Sequence, residues 1–413
     1  MTAQTDFFSI PIEARERFNW ISAPHLKTVV SALEAAAPDG ARFVGGCVRD
    51  SLLGETPKDF DIATILEPEE ATRALKKAGL RVAPTGIDHG TVTAIVEHQG
   101  VEVTSLRADV STDGRRATVA FTNDWSVDAH RRDFTVNAIY LTSDGRLYDP
   151  TGGIDDARRR RIRFIGSPEA RIKEDYLRIL RFFRFSARFC DHYDEAGLEA
   201  CARLRAGIQQ LSAERVGLEF TSILSLPRAV FALEAMYSSG VLKEIWQEEP
   251  DLEAATRMKL LSPTAHSALM LAALYGDEGA GIGSRLRLSN AEKSGRTTAI
   301  KTAEHFAPNI EQKDLKTILY TFGRDNAFDG ALLATARGVL SPDKYRRIRL
   351  DIESMVEPVF FISGRHVVDA GVQPGPPVAK ILAAVEAQWI LEGFPDESRQ
   401  QAILRDKITQ ALV

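Results

Sequence analysis

The chain has 413 residues, more than one hydrophobic core usually serves, so two or more domains are expected. Hydrophobic residues make up 44% and charged residues 26%, which excludes a disordered chain, and a net charge of −5 argues against a uniformly basic nucleic-acid-binding surface. The N-terminal segment lacks the pattern of a signal peptide, no apolar run is long enough to span a bilayer, and three cysteines without metal-ligand spacing suit a reducing compartment. We therefore expect a cytoplasmic protein with no membrane contact.

Short strands alternate with helices in the first part of the chain. Apolar residues at helical spacing predict a first helix that Pro38 ends. It is followed by a strand at ARFVGG, a short helix at CVRDSLLG, a strand at DFDIAT, a helix at EPEEATRALKKAG and three further strands. The polar segment Arg107–Asp128 is predicted to be a long loop. We expect a mixed sheet with helices packed on it over residues 24–165.

Beyond Ile165 the strand signals nearly vanish and helical patterns continue to the C-terminus, which predicts a change of domain. This part begins with a basic stretch. Residues 158–188 include eleven basic and three acidic residues, with phenylalanines between the arginines. The charges are either a solvated helix face or the polar side of an amphipathic helix that faces polyanions.

The most informative stretch sets two glycines and an arginine shortly before two carboxylates. Gly45 and Gly46 precede Arg49, and Asp59 and Asp61 follow in the sequence KDFDI. A strand over this sequence projects both carboxylates from one face. Two such carboxylates suit Mg²⁺, which shares oxygen ligands with phosphates, and glycines let backbone amides approach a triphosphate. An acidic pair on an exposed strand is common by itself, but the combination indicates nucleotidyl transfer.

A third carboxylate is predicted from the strand VEVTSLR. Glu102 lies between Val101 and Val103, so its side chain faces away from theirs. Either it is the outward polar residue of an alternating strand, or it joins Asp59 and Asp61 in a two-metal site. In the second case one metal activates the attacking hydroxyl and the other stabilises the leaving pyrophosphate.

The sequence RRDFTVNA provides a second group of polar residues. Arg132 supplies positive charge for a triphosphate, while Asp133 and Asn137 supply acceptor and donor groups for a ribose. A surface ion pair between Arg132 and Asp133 is the alternative. The presence of Asn137 one turn later favours the nucleotide site.

The sequence EDYLRILRFFR is predicted to form one helix. Asp175 and Arg178 are then i,i+3 neighbours, so acceptors and a fork of donors together match the edge of a base. The alternative is an intrahelical salt bridge that contributes only about 0.2–0.5 kcal/mol. Residues three apart do not stay on one face of a helix over several steps, so Asp175 and Arg184 cannot share one face. Arg181 and Arg184 are therefore assigned to phosphate or flanking contacts.

Five sequences occur in one order: GGCVRDSLLG, KDFDIAT, RRDFTVNAIY, DPTGG and EDYLRILR. They resemble the motifs of the class II tRNA nucleotidyltransferases, which are the CCA-adding enzymes and their relatives the poly(A) polymerases. The resemblance implies an α+β protein with a polymerase-β-like nucleotidyltransferase head, a mixed sheet with helices, followed by an all-α neck, body and tail. We expect a catalytic head at 24–165, a nucleotide-selecting and RNA-binding neck at 166–255, and a tRNA-binding body and tail at 256–413.

The resemblance implies that C, C and A are added to the 3′ end of tRNA from CTP and ATP without a nucleic acid template, with Mg²⁺ as the cofactor. Asp59 and Asp61 would bind the metals, and Asp175 with Arg178 would select CTP or ATP by pairing with the base. The contacts to triphosphate and ribose would fall to three residues: Gly46, Arg49 and Arg132.

Two alternatives stay open. Poly(A) polymerases and A-only-adding enzymes share these motifs. The acidic segment after Asp61 argues against a poly(A) polymerase, and the full-length stretch Arg107–Asp128 argues against an enzyme limited to adding CC, so both favour complete CCA addition. A non-catalytic RNA-binding homologue is the other possibility, and the complete set of carboxylates, glycines and arginines argues against it. The expected macromolecular contact is the acceptor arm and 3′ end of tRNA, read through backbone and shape. No protein partner is implied.

Overall fold

The computed structural model describes residues 7–87, 90–113, 116–277 and 281–412. The chain forms two compact units. The first contains the described residues up to Ile223 together with Phe231–Gln247, and the second contains Leu224–Val230 and the described residues from Glu248 onward. The first unit holds a mixed sheet and the second is helical, so the predicted α+β class is confirmed. The functional limits predicted at 24–165, 166–255 and 256–413 stay predictions.

The strands lie in the first unit. Those of the described residues are β1 Phe7–Ser9, β2 Ala41–Val44, β3 Asp61–Thr64, β4 Arg81–Gly86, β5 Thr91–Val96, β6 Gln99–Ser105, β7 Arg107–Asp113, β8 Arg116–Phe121, β9 Tyr140–Leu141 and β10 Arg146–Tyr148. One sheet has the order β1-β10-β9-β2-β3-β6-β5-β4, and β7 pairs with β8 alone. In the larger sheet β3 and β6 are parallel and the other neighbours are antiparallel.

Helices cover this sheet and continue after it. Up to Ile245 they are α1 Pro24–Glu34, α2 Gly46–Leu53, α3 Pro68–Lys77, α4 Trp125–His130, α5 Gly153–Arg158, α6 Pro168–Glu174, α7 Leu177–Phe189, α8 Glu195–Leu204, α9 Ala213–Leu224, α10 Ala229–Ser238 and α11 Val241–Ile245, with 3₁₀ segments at Ile12–Ser22, Thr135–Asn137 and Arg205–Gln210. Local sequence explains several of their ends. Glu67 and Glu70 form a capping box at the start of α3, and the Ser167 hydroxyl accepts from the backbone N–H of Ala170 in α6.

The central strands bury both of their faces. Phe43 of β2 and Ile62 of β3 belong to one core with residues of α1 and α3, whereas Val44 and Ala63 belong to a second core. Val44 is the direct antiparallel partner of Asp61. Because side chains alternate along a strand, the Asp61 carboxylate projects to the side opposite Phe43 and Ile62.

The second unit consists of helices. They are α12 Leu252–Leu261, α13 Ser267–Tyr275, α14 Ile282–Arg285, α15 Asn290–Ala303, α16 Gln312–Phe322, α17 Arg324–Ala336, α18 Pro342–Ser354, α19 Gly364–Asp369, α20 Pro376–Leu391 and α21 Glu397–Leu412. Near the C-terminus the buried Trp389 packs against the rings of Tyr320, Phe360 and Phe394, whose centroids lie 4.9–5.3 Å away. Over the part of the chain that is described, no helix combines the length and apolar character needed to cross a bilayer.

Three local predictions were wrong. The stretch Arg107–Asp128 is not a long loop, because β7 and β8 pair from Arg107 opposite Phe121, and α4 follows. Its Val, Thr and Phe residues have high strand propensity, which outweighed its polarity. The strand predicted at DFDIAT begins only at Asp61, so Asp59 precedes it. The third error concerns EDYLRILR, which is not one helix: α6 ends at Glu174 and α7 begins at Leu177.

Candidate active site

Three carboxylates line a cavity at the edge where β3 begins. Asp61 of β3 is the direct parallel partner of Glu102 in β6, so the two side chains leave the sheet on the same face. Asp59 lines the same cavity, whose volume is about 850 Å³. Asp61 is partly buried, whereas Asp59 and Glu102 are exposed. The structure therefore brings together the three carboxylates that the sequence singled out.

Positive groups lie near these carboxylates, among them Lys58 in the same cavity, but no described side chain pairs with them directly. Burial raises the pKa of Asp61 to about 6, and repulsion from Glu102 and Asp59 adds to this effect, against the attraction of Arg132 and Arg49. Within the described ranges no side chain forms a salt bridge with Asp59, Asp61 or Glu102. A cluster of like charges without a partner in a cavity is a site that a cation would stabilise.

The donor chemistry fits a hard divalent cation. Among the residues with described placement, no group of three or more His, Cys, Asp and Glu is close enough to hold one ion. Asp59 and Asp61 would therefore supply a minority of the ligands, and water and phosphate oxygens the rest. That is how Mg²⁺ is usually bound, because it keeps several waters and shares substrate phosphates. The part of Glu102 in a two-metal site stays a prediction.

The glycine pair places the start of a helix beside this cavity. Gly45 precedes α2 with φ of 75°, a conformation that L side chains rarely adopt, and a Cβ there would lie 3.7 Å from Asp61 Oδ2. Gly46 is the first residue of α2. The first backbone N–H groups of a helix have no intrahelical acceptor and attract anions. The carboxylate cavity and the start of α2 thus lie side by side, as a metal-bound triphosphate requires.

Four of the predicted nucleotide-binding residues form one chain of hydrogen bonds. Arg49 Nη1 donates to Asn137 Oδ1 at 2.7 Å, and Asn137 Nδ2 donates to Asp133 Oδ1 at 2.9 Å. The other oxygen of Asp133 accepts from Arg181 Nη2 at 2.7 Å. Arg49 also pairs with Asp50 at 2.6 Å. This chain connects α2 with α7 across residues far apart in sequence.

Burial and neighbouring charges shift the pKa values of the residues in this chain. Arg49, Asp133 and Asn137 are each less than a tenth exposed. Burial lowers the pKa of Arg49 despite the nearby Asp50 carboxylate, and its guanidinium stacks 4.8 Å from the ring of Phe185. Burial opposes ionisation of Asp133, but Arg181 and the hydrogen bond from Asn137 outweigh it and lower the pKa of this carboxyl group. Each charge of the chain has a partner.

Arg132 is held next to the cavity by a residue that sequence reasoning missed. The Asp128 carboxylate is fully buried, and its Oδ2 accepts from Arg132 Nη2 at 3.0 Å and from the Tyr140 hydroxyl at 2.6 Å. Its Oδ1 binds Arg131 at 2.6 Å. Burial opposes the charge of Asp128, but Arg132 and Arg131 outweigh it and lower its pKa to about 2. No sequence signal marked Asp128 beyond its place next to the RRDFTVNA motif.

The two residues predicted to read a base are joined through their backbones, where Arg178 N–H donates to the Asp175 carbonyl oxygen at 3.0 Å, but their side chains bind other partners. Asp175 lies between α6 and α7 and binds Arg215 Nη2 at 2.7 Å. Arg178 instead pairs with Glu174 at 2.6 Å and donates to the carbonyl oxygen of Arg171 at 2.8 Å. The break between the helices directs the side chains of Asp175 and Arg178 to different partners, because Asp175 has an extended backbone rather than a helical one.

The polar face of α7 meets carboxylates of this chain. Arg184 Nε donates to Glu219 Oε2 at 2.6 Å, Arg181 Nη1 lies 3.6 Å from Glu219 Oε1, and Arg188 pairs with Asp50 at 3.2 Å. These three arginines therefore have acidic partners within the chain, and their contact with a polyanion stays a prediction. Glu219, the partner of Arg181 and Arg184, was not singled out from the sequence.

Comparison with known families gives two matches along the chain. The family model described as "Poly A polymerase head domain" matches residues 41–163, which contain the carboxylate cavity and the start of α2. The model described as "Probable RNA and SrmB- binding site of polymerase A" matches residues 193–255. Both agree with the motif order in the sequence.

Similarity to individual proteins extends over most of the chain. The mouse protein named CCA tRNA nucleotidyltransferase 1, mitochondrial, is 31% identical over 362 residues, covering 86% of this chain and 83% of that protein. The Streptococcus gordonii CCA-adding enzyme is 32% identical over 398 residues, covering 89% and 93%. The crystal structure of the Bacillus stearothermophilus CCA-adding enzyme in complex with CTP superposes with a TM-score of 0.74 at 24% identity, covering 94% of this chain and 99% of the other, which shows a shared fold.

Geometry and comparisons agree. An acidic cavity lies beside a glycine-led helix start in a mixed sheet, and relatives that match it over most of their length carry one activity. Members of this group are template-independent RNA nucleotidyltransferases, which generally use a divalent metal. The chain therefore belongs to the family of class II CCA-adding enzymes.

Proposed function

We propose that this protein adds C, C and A to the 3′ end of tRNA, using CTP and ATP and no nucleic acid template. The observation that carries the proposal is the cluster of Asp59, Asp61 and Glu102 in one cavity next to the start of α2, with no salt bridge to any of the three among the described residues. The names of the relatives, and the CTP bound to the superposed bacterial enzyme, support the substrates. A cytoplasmic location stays a prediction.

The metal that we propose for this site is Mg²⁺, held by Asp59 and Asp61. When bound, it supplies positive charge for the phosphate oxygens and for the reacting hydroxyl. The role of Asp61 in this scheme is to hold a carboxylate at a fixed place on the sheet, since its strand is paired on both sides. Glu102 adds a second fixed carboxylate on the neighbouring strand.

The other residues of the site hold the triphosphate and the ribose. Gly45 and Gly46 leave room for phosphate oxygens at the N–H groups that begin α2. Arg132, kept in place by Asp128, offers charge toward the cavity. In the reaction the terminal hydroxyl oxygen of tRNA forms a bond to the α-phosphorus of CTP or ATP, and the bond from that phosphorus to the pyrophosphate oxygen breaks.

Arg49, Asn137, Asp133 and Arg181 are proposed to act as one unit beside the nucleotide. Their hydrogen bonds to one another fix the donors and acceptors that a ribose and a triphosphate would meet. The roles of Asp175 and Arg178 in choosing the base stay predictions. In this structure Arg178 is held by Glu174, so a direct contact between Arg178 and a base requires that ion pair to open.

The test is incorporation into tRNA that lacks its terminal CCA, with CTP alone, ATP alone and both together. We expect addition of two C residues with CTP, and complete CCA only with both nucleotides. Incorporation of ATP alone into this substrate, with none of CTP, would identify the A-only or poly(A) alternative. Failure to incorporate either, with tRNA binding retained, would identify the non-catalytic homologue.

A further inference from the structure

The carboxylate of Asp175 is held at both of its oxygens. Oδ1 accepts from the backbone N–H of Leu177 at 3.1 Å, at the start of α7. Oδ2 accepts from Arg215 Nη2 on α9 at 2.7 Å. Two anchors on different elements fix the plane of the carboxylate, because rotation about the side chain would break at least one of them. Asp175 is nevertheless 31% exposed, so a ligand can reach it.

Arg215 belongs to a face of α9 that organises the neighbouring arginines and Asp175. Glu219 lies four residues later on the same face of the helix. It binds Arg184 at 2.6 Å and lies 3.6 Å from Arg181. One turn of α9 therefore holds Asp175 through the guanidinium of Arg215 and two arginines of α7 through the carboxylate of Glu219.

Arg178 does not perform this role for Asp175. Its Nη1 atom is engaged with Glu174 and with the carbonyl oxygen of Arg171, and its Nη2 lies 3.3 Å from the carbonyl oxygen of Arg131. The guanidinium that contacts Asp175 is that of Arg215, which is 40 residues away in sequence. This charge-assisted bond links α9 to the start of α7, two elements that are separate in the sequence.

We propose that Arg215 is a positioning residue for nucleotide selection: it fixes the orientation in which the Asp175 carboxylate meets the edge of an incoming cytosine or adenine. This inference rests on the proposed function and goes beyond it, since no comparison assigns a role to Arg215. Both bases present an exocyclic amino group as a donor, so the direction of the accepting oxygen decides which ring position that group must occupy. Without Arg215 the carboxylate keeps one anchor and can turn.

The experiment measures discrimination at a defined step. With tRNA that ends one residue short of CCA, the ratio of kcat/KM for ATP to that for CTP is determined for the wild type and for Arg215→Ala. We expect the variant to lose about tenfold in this ratio, which corresponds to one charge-assisted hydrogen bond. Arg215→Lys, which keeps the charge but not the fork of donors, should recover part of the loss.

Arg203→Ala is the matched control. It also removes an arginine from an ion pair of the same unit, with Glu169 at 2.9 Å, but on α8 and away from Asp175. We expect its nucleotide ratio to equal that of the wild type. Thermal unfolding of all three variants verifies that the protein is folded under the assay conditions, and Arg215→Lys keeps the test decisive if Arg215→Ala unfolds.

A double-mutant cycle separates positioning from an independent effect. If Arg215 acts through Asp175, Arg215→Ala should change the ratio little when added to Asp175→Ala. The inference would be overturned if Arg215→Ala lowered the nucleotide ratio equally in the wild type and in Asp175→Ala, or if it left the ratio unchanged, while the wild type still adds CCA. Absence of CTP and ATP incorporation by the wild type would instead overturn the proposed function, so the two failures are distinguishable.

Discussion

The carboxylate cavity and the hydrogen-bonded chain beside it differ in whether their charged side chains form ion pairs. In the cavity, three acidic side chains share a space and none of them forms a salt bridge with a described residue. In the chain that runs from Arg49 to Arg181, each charged group has a partner of opposite charge, and Arg49 and Asp133 are buried. The two regions are close enough that Arg49 and Arg132 affect the pKa of Asp61.

This difference distinguishes residues that bind a ligand from residues that stabilise the folded geometry. Unpaired like charges destabilise the empty protein and become favourable only when a cation arrives, so they mark the place where a ligand is bound. Paired buried charges are already satisfied and keep the geometry rigid. Substitutions should therefore have opposite signatures in the two regions: loss of activity with retained or increased stability in the cavity, and loss of stability in the chain.

The largest effect is expected for Asp61→Ala. Removing a metal ligand should lower CTP incorporation by about a thousandfold, which is the upper range for loss of one electrostatic group at a reacting centre. The same substitution removes one of three repelling charges, so the unfolding temperature should stay equal or rise. Single-turnover incorporation, tRNA binding by filter retention and thermal unfolding are the three measurements.

Asp144→Ala is the control for that substitution. Asp144 lies in the same unit but forms an exposed pair with Arg146 at 2.7 Å. Its loss should leave incorporation unchanged. If Asp61→Ala retained wild-type turnover, the assignment of the metal site would be wrong. If it lost both turnover and folding, Asp61 would belong with the supporting residues rather than with the ligand site.

A smaller effect, on stability first, is expected for Asp133→Ala. Truncation leaves the buried amide of Asn137 without its acceptor and removes the nearer carboxylate partner of Arg181, which keeps Glu219 at 3.6 Å, and we expect a loss of about 3 kcal/mol in the free energy of unfolding. Urea titration checks this. Asp155→Ala removes an exposed partner of Arg159 and should cost at most about 0.5 kcal/mol. Equal losses in the two variants would contradict the proposed difference between the regions.

The smallest expected effect is on the stability of the protein at low pH. Because the folded pKa of Asp128 is about 2 and its unfolded value is near 3.8, the carboxylate contributes stability that is complete above about pH 4 and is lost as the pH falls toward 2. The contribution at neutral pH is about 2 kcal/mol. Asp128→Asn should therefore be less stable than the wild type at neutral pH, and the difference should shrink at about pH 2.5. A difference that is independent of pH would show that packing, not charge, explains the effect.

The sequence predicted most of the sheet because alternation is a local property. The strands β2 to β6 and the helices α1 to α3 follow from the spacing of apolar residues and from turn signals within each segment. The edge strand β1 was not predicted, since three residues show too little periodicity and its partner β10 lies some 140 residues later. The hairpin β7–β8 resembles a loop in sequence because its polar residues hide its strand propensity.

In the candidate site, the types of residue were predictable and their partners were not. Gly45, Asp59 and Asp61 lie within one short segment, so their spacing carries the information. By contrast, Arg49 binds a residue 88 positions away and Asp175 one 40 positions away. Such choices depend on the assembled fold. Asp175 and Arg178 are not i,i+3 neighbours within one helix, because Asp175 is an extended residue between two helices, and their joint role in reading a base stays a prediction.

The parallel pairing of β3 with β6 has a consequence for how the activity can diversify. Hydrogen bonds keep adjacent strands about 4.8 Å apart, so the spacing between Asp61 and Glu102 is set when the chain folds and does not wait for substrate. Base recognition is instead proposed for Asp175 at the corner between α6 and α7, outside the sheet. Mutations at that corner can retune which nucleotide is accepted while the preassembled acidic centre keeps its geometry, so specificity and chemistry can evolve separately.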